Sequence, residues 1–122
     1  MVAYESSRQV ESLRMQSGAF DSQLELLLLA ALAEGPRHGY SIIEALRERS
    51  AGQVDLQTGT VYPALRRLER TGLIRGAWSA VSGRRRRTYT LTAAGRHVLE
   101  QRRSRWYAIV AAVDAVLGTK PA

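Results

Sequence analysis

The chain has 122 residues, 45% hydrophobic and 24% charged, with a formal net charge of +7 and no cysteine. That balance suits one folded domain with at most an appended helix, and it argues against a disordered tail, a disulfide scaffold or a thiolate metal site. The longest apolar run, Leu26 to Ala33, is too short to span a bilayer, and the start of the chain lacks the pattern of a signal peptide. A cytoplasmic location is therefore expected.

The charge is unevenly placed. Residues 1–57 sum to −3, residues 58–87 to +7 and residues 88–122 to +3. One thirty-residue stretch thus holds as much charge as the whole chain, the footprint expected for a polyanionic partner. His38 and His97 are far apart in sequence, so no metal and no cofactor are expected.

In chain order, residues 1–21 are polar with scattered apolar positions and read as an N-terminal arm or helix. Asp21 or Ser22 is a candidate cap for a helix through Leu24 to Leu32 that is apolar nearly all round, hence central and buried. Gly35 and Pro36 break it. A second helix, about Gly39 to Arg49, has Ile42, Ile43 and Leu46 as its apolar stripe and ends at Ser50-Ala51-Gly52.

The third helix, Thr58 to about Thr71, is the best defined. At 100° per residue, Val61, Ala64, Leu65 and Leu68 share an arc of about 100°. Tyr62, Pro63, Arg66, Arg67 and Arg70 lie opposite, with Gly72 where a C-terminal cap belongs. Beyond Gly72 the period becomes two. Ile74, Trp78 and Ala80 alternate with Arg75, Ala77 and Ser79, and Tyr89 and Leu91 with Thr88 and Thr90. These are two short strands, joined by a loop holding Ser82-Gly83 and the arginines that follow; Trp78 is expected in the core and Arg87 at the start of the second strand. Thr92 is a candidate N-cap for a last helix. Its apolar positions Leu99, Trp106 and Val113, and Val110 and Leu117, recur every seven residues, a seam suited to packing on a second copy of itself.

Three helices and a hairpin in this order make a mainly α fold, a winged helix-turn-helix over residues 22–92, with a dimerisation helix over 93–118 and a tail at 119–122. The third helix would enter the major groove and the hairpin would reach flanking phosphates, so that specifying and positioning contacts have separate homes. The expected DNA-binding residues are Tyr40, Thr58, Thr60, Tyr62, Pro63, Arg66, Arg67 and Arg70 on the helices and Arg84, Arg85 and Arg86 on the wing. The expected dimer residues are Leu99, Trp106, Ile109, Val110, Val113 and Leu117. Glu69 lies near the margin of the basic face, where it could pair with Arg66 or Arg70.

The motifs "HGYSIIEAL", "TGTVYPALRRLERTGLI" and "GRRRRTYTLTAAG", in that order, resemble the PadR family of bacterial transcriptional regulators over roughly residues 24 to 117. The resemblance implies a homodimeric winged-helix DNA binder, usually a repressor, that dimerises through its C-terminal helix. The single long final helix looks like the shorter subfamily. Many members release DNA on binding small molecules such as phenolic acids or drugs, and a tryptophan at the place of Trp106 can stack on flat aromatic ligands. That implies Trp106 and Val110 as ligand-binding residues. One departure is Gln57-Thr58 where the family usually has Ser-Pro, which makes Thr58 the expected cap of the third helix.

The expected partners are double-stranded DNA, a second copy of the chain and a small aromatic effector, with no membrane. The alternative is a winged-helix module that binds protein or RNA through its basic face. An enzyme fits poorly, since no Ser/His/acid grouping, phosphate-cradling glycine loop or carboxylate pair accompanies either histidine.

Overall fold

A computed structural model describes residues 19–118 as α1 (Ala19–Leu32), β1 (Arg37–His38), α2 (Gly39–Arg49), α3 (Thr58–Arg70), β2 (Ile74–Val81), β3 (Arg84–Leu91) and α4 (Ala93–Leu117). Most of the N-terminal arm expected over 1–21, and the tail at 119–122, lie outside the described residues. Asp21 and Ser22 do not cap α1, because the helix already runs through both; Asp21 instead places its charge in the first described turn. No described helix is long and apolar enough to cross a membrane.

One core joins all the helices to the sheet. Leu28 and Leu29 of α1 are fully buried and meet Ile42 and Leu46 of α2, Val61, Leu65 and Leu68 of α3, and Ile74, Tyr89 and Leu91 of the strands. Leu26, Leu27 and Ala30, on the other side of α1, stay half-buried. Seventeen buried apolar residues, with no buried charged one among the described residues, are a sufficient hydrophobic drive for a domain of this size.

The helix ends show how local chemistry fixes the bends. His38 caps α2, its Nδ1 accepting from the Ser41 N–H at 3.3 Å. At the other end the Ala51 N–H reaches the Glu48 carbonyl and the Gly52 N–H reaches Arg47, a Schellman closure that puts Ala51 at φ 52°. Gln57, not the expected Thr58, is the N-cap of α3; its carbonyl accepts from the Thr60 and Val61 N–H groups at 3.0 Å, and its side chain makes no cap bond. The α3 helix ends as expected, with Gly72 at φ 80° and the Leu73 N–H on the Leu68 carbonyl.

The sheet has the antiparallel order β1-β3-β2. A two-residue turn, Ser82 at φ 53° and Gly83 at φ 77°, joins β2 to β3 with both residues left-handed, the turn whose twist matches the flanking strands. The arginine run is therefore strand, where a loop was expected. Arg84 pairs with Val81, Arg85 with Ala80, Arg86 with Ser79 and Arg87 with Trp78. Strand alternation then sends Arg84 and Arg86 to one face and Arg85 and Arg87 to the other.

Two further expectations are corrected. Trp78 shares its face with Ile74, but β2 has left the core by then and the indole is 58% exposed. Leu99, expected on the dimer seam, is 1% exposed and belongs to the chain's own core. The first turns of α4 lie on the domain. Thr92 caps them as expected, Oγ1 accepting from the Gly95 N–H at 3.0 Å and donating to the Gly72 carbonyl at 2.7 Å. Arg102 ties α4 to Glu25 of α1 at 2.9 Å. Beyond Arg103 every residue to Gly118 is exposed except the half-buried Val110. There Trp106, Ile109, Val113 and Leu117 present apolar surface to solvent.

Candidate nucleic-acid interface

The basic residues converge because α3 and the hairpin diverge from a common anchor. Both leave the core near Leu68 and Ile74, and a groove of about 1030 Å³ opens between them. His38, Tyr40 and Glu44 line one end; Tyr62, Arg66 and Glu69 line the α3 side; Trp78, Arg84 to Arg87 and Tyr89 form the wing side. Of the expected DNA-binding residues this assembles Tyr40, Tyr62, Arg66, Arg84, Arg85 and Arg86.

It does not bring in Thr58, Thr60, Pro63, Arg67 or Arg70. Consecutive helical residues diverge by about 100°, so Arg66 and Arg67 cannot share a direction. Arg67 turns toward α1, where its Nε lies 4.0 Å from Glu25. Arg70 is exposed in the last turn of α3, outside the groove, and Thr58 is exposed in the first turn. Thr60 and Pro63 are half-buried.

Glu69 pairs with neither Arg66 nor Arg70. It holds Arg87 across the groove in an ion pair that locks α3 to β3. The carboxylate raises the Arg87 guanidinium further above its already high ordinary value, through the hydrogen bond first and charge attraction second. Arg87 also lies flat on the strand: a β-carbon at Gly76 would come within 2.6 Å of its Nε. The phenol of Tyr89 beside it is pushed up by burial. Arg87 is thus structural, and the groove keeps Arg66, Arg84, Arg85 and Arg86 outside the ion pairs of the described residues.

Arg86 Nη1 sits 3.0 Å from His38 Nε2. A neutral imidazole has one lone pair, and the cap bond to Ser41 uses it at Nδ1, which leaves a proton on Nε2. His38 therefore cannot accept from Arg86 while it caps α2, and Arg86 is only loosely held. Tyr62 packs over the start of α2, where a β-carbon at Gly39 would meet its Cε1 at 2.5 Å. Its ring edge and hydroxyl both press on Gly39, bracing α2 against α3 at the groove wall.

Reasoning from the sequence missed His38, Glu44 and Tyr89 as groove residues, and it placed Trp78 in the core. Arg85 lies 5.0 Å from its ring centroid and Arg87 5.5 Å. Counting strand pairs outward from Ser82-Gly83 sets Trp78 opposite Arg87, which is the signal that could have found it. No group of three or more His, Cys, Asp or Glu able to hold a metal occurs among the described residues.

The model of the PadR-like family of transcriptional regulators matches residues 28–101. The transcriptional regulator Rv3488 of Mycobacterium tuberculosis is 39% identical over 67 residues, 55% of this chain and 50% of that protein. An uncharacterized 37.1 kDa protein in a Streptomyces fradiae transposon is 42% identical over 77 residues, 63% of this chain. The chain spans 21% of that protein's length, and so is far shorter than that relative. Among solved structures, a PadR family transcriptional regulator from Eggerthella lenta is 28% identical, with a TM-score of 0.74 over 98% of this chain and 100% of that one. A PadR family transcription regulator from Clostridium difficile is 32% identical, with a TM-score of 0.69 over 78% of this chain and 98% of that one. With the family match covering more than half its length, on a winged helix-turn-helix with a basic groove, the chain belongs to the PadR-like family of DNA-binding transcriptional regulators.

Proposed function

We propose that the protein is a homodimeric repressor that reads a palindromic operator, with Arg66 on base edges and Arg84, Arg85 and Arg86 on flanking phosphates. The observation that carries this is the charge left outside ion pairs in the groove between α3 and the wing, while Glu69, the acid on its α3 wall, is taken up by Arg87. Tyr40 and the first two turns of α3, with Thr58, Thr60, Tyr62 and Pro63, would supply further backbone contacts. Arg67 and Arg70 would reach phosphates beyond the groove.

Dimerisation is supported by the exposed stripe Trp106, Ile109, Val113 and Leu117, together with the half-buried Val110 beside it and the half-buried Leu26, Leu27 and Ala30 of α1. A two-fold dimer with its α3 copies about 34 Å apart would take half-sites one helical turn apart. A flat aromatic effector stacked on Trp106 beside Val110 would act at that seam and so reach the operator through the dimer geometry.

The test is fluorescence anisotropy on the gene's own upstream duplex and a scrambled duplex across a salt series, with sedimentation for the dimer. Arg84→Ala with Arg86→Ala should weaken both duplexes alike and lower the salt slope by about 0.9 for each phosphate no longer neutralised. Arg66→Ala should cost roughly 1–3 kcal/mol on the operator and relax specificity. Equal losses on both duplexes from both variants would defeat this division of labour. Weak, unselective binding by the native protein would favour a protein or RNA partner for the basic face.

A further inference from the structure

We infer that Trp78 is an additional DNA-contact residue, its indole lying against the sugar-phosphate backbone of the duplex that α3 and the wing straddle. This rests on the proposed function and adds to it a contact that comes from an aromatic ring rather than from a charge. Trp78 is on the α3-facing side of the hairpin, in register with Gly76 and Ile74, and it opens into the groove that Arg66 and Tyr62 line. At 58% exposure it gives the chain's own core little, and an apolar ring that size is normally covered. What surrounds it is cationic, so the partner that covers it carries negative charge.

The two arginines at the ring play different parts. Arg87 is neutralised by Glu69 and packed over Gly76, which fixes the ring from the α3 side. Arg85 stacks with its guanidinium 5.0 Å from the centroid and belongs to no ion pair among the described residues. Stacking holds a guanidinium in place while its in-plane N–H groups remain free to donate. The indole N–H has no acceptor among the described side chains either, and a phosphate oxygen would accept from both.

Position decides what the ring touches. Trp78 lies within β2, short of the turn at Ser82-Gly83, so it cannot wedge between base steps as a side chain at the tip of a wing could. A ring on the flank of the strand meets deoxyribose and phosphate, and such a contact carries no sequence information.

The experiment uses the full chain labelled with 5-fluorotryptophan, whose two tryptophans give two fluorine resonances, assigned by Trp78→Phe. On titration with duplex, the Trp78 resonance is expected to shift in step with the anisotropy of labelled DNA. Trp78→Ala should weaken operator and scrambled duplex equally, about three- to tenfold, and Trp78→Phe should recover most of that loss. Anisotropy that reports binding while the Trp78 resonance stays still would overturn the inference and leave the proposed function intact. A Trp78→Ala loss confined to the operator would also overturn it, since the ring would then be reading bases. If the native chain binds no duplex, the proposed function fails and the inference fails with it. The fluorine measurement keeps the native indole, so it does not depend on how well Trp78→Ala folds.

Discussion

Leu99→Ala separates the core from the dimer seam. Leu99 is 1% exposed within one chain, and it packs in the cluster that holds Leu28, Leu65 and Ile74. Truncating such a residue removes its transfer free energy and leaves a partly uncollapsed cavity, together about 3 kcal/mol. For a domain of this size each kcal/mol corresponds to roughly 3–6 °C, so the midpoint of thermal unfolding should fall by roughly 9–18 °C. Val113→Ala is the control, because Val113 is 48% exposed and its burial exists only if a partner covers it. Followed by circular dichroism over a wide range of protein concentration, Leu99→Ala should lower the midpoint at every concentration. Val113→Ala should act by weakening the concentration dependence that dimerisation imposes. A Leu99→Ala effect that is small, or that disappears on dilution, would refute the assignment of Leu99 to the core and return it to the seam.

Ala51→Gly should stabilise the protein by about 0.5 kcal/mol, the left-handed strain relieved at φ 52° less the added freedom of glycine in the unfolded chain; denaturant unfolding checks it. His38→Ala should cost about 1 kcal/mol by removing the cap of α2, and His38→Asn should restore most of it, read by the same unfolding curves. Glu69→Gln should change the unfolding midpoint little, because both partners of the Arg87 pair are over a quarter exposed and water screens them; denaturant unfolding checks it. The same change should tighten binding to a scrambled duplex, since a carboxylate leaves the groove; anisotropy at low salt would show it.

Helices were legible wherever the apolar period was strong. Val61, Ala64, Leu65 and Leu68 defined the buried face of α3, and the structure buries those four. The arginine run was not legible as strand, because four identical polar side chains carry no alternation; only the tight turn at Ser82-Gly83 fixes their register. Trp78 shows a second limit. Alternation tells which face a residue shares, and Trp78 does share that of Ile74, but it does not tell how far along the strand that face stays covered. Leu99 shows a third: spacing by sevens marks one stripe of a helix, and the stripe of α4 changes neighbours partway along, from the chain's own core to solvent. In the groove the charges could be named from composition, but the Glu69–Arg87 pair could not, since eighteen residues and a change of secondary structure separate its members.

The contact of Gly95 with the Leu73 backbone makes α4 a lever. A β-carbon at Gly95 would collide with the Leu73 carbonyl oxygen and crowd the Leu91 side chain, so hydrogen alone lets the helix seat at its present angle. From that fulcrum to Leu117 the helix runs about 33 Å, and a tilt of about 10° at the base would swing its far end by about 6 Å. In the proposed dimer the two far halves are clasped together, so the same tilt would instead move the two reading heads relative to one another, by a distance comparable to two base-pair steps. A single hydrogen atom at position 95 would then act as the gauge block of the regulator, setting the separation of the sites it can grip.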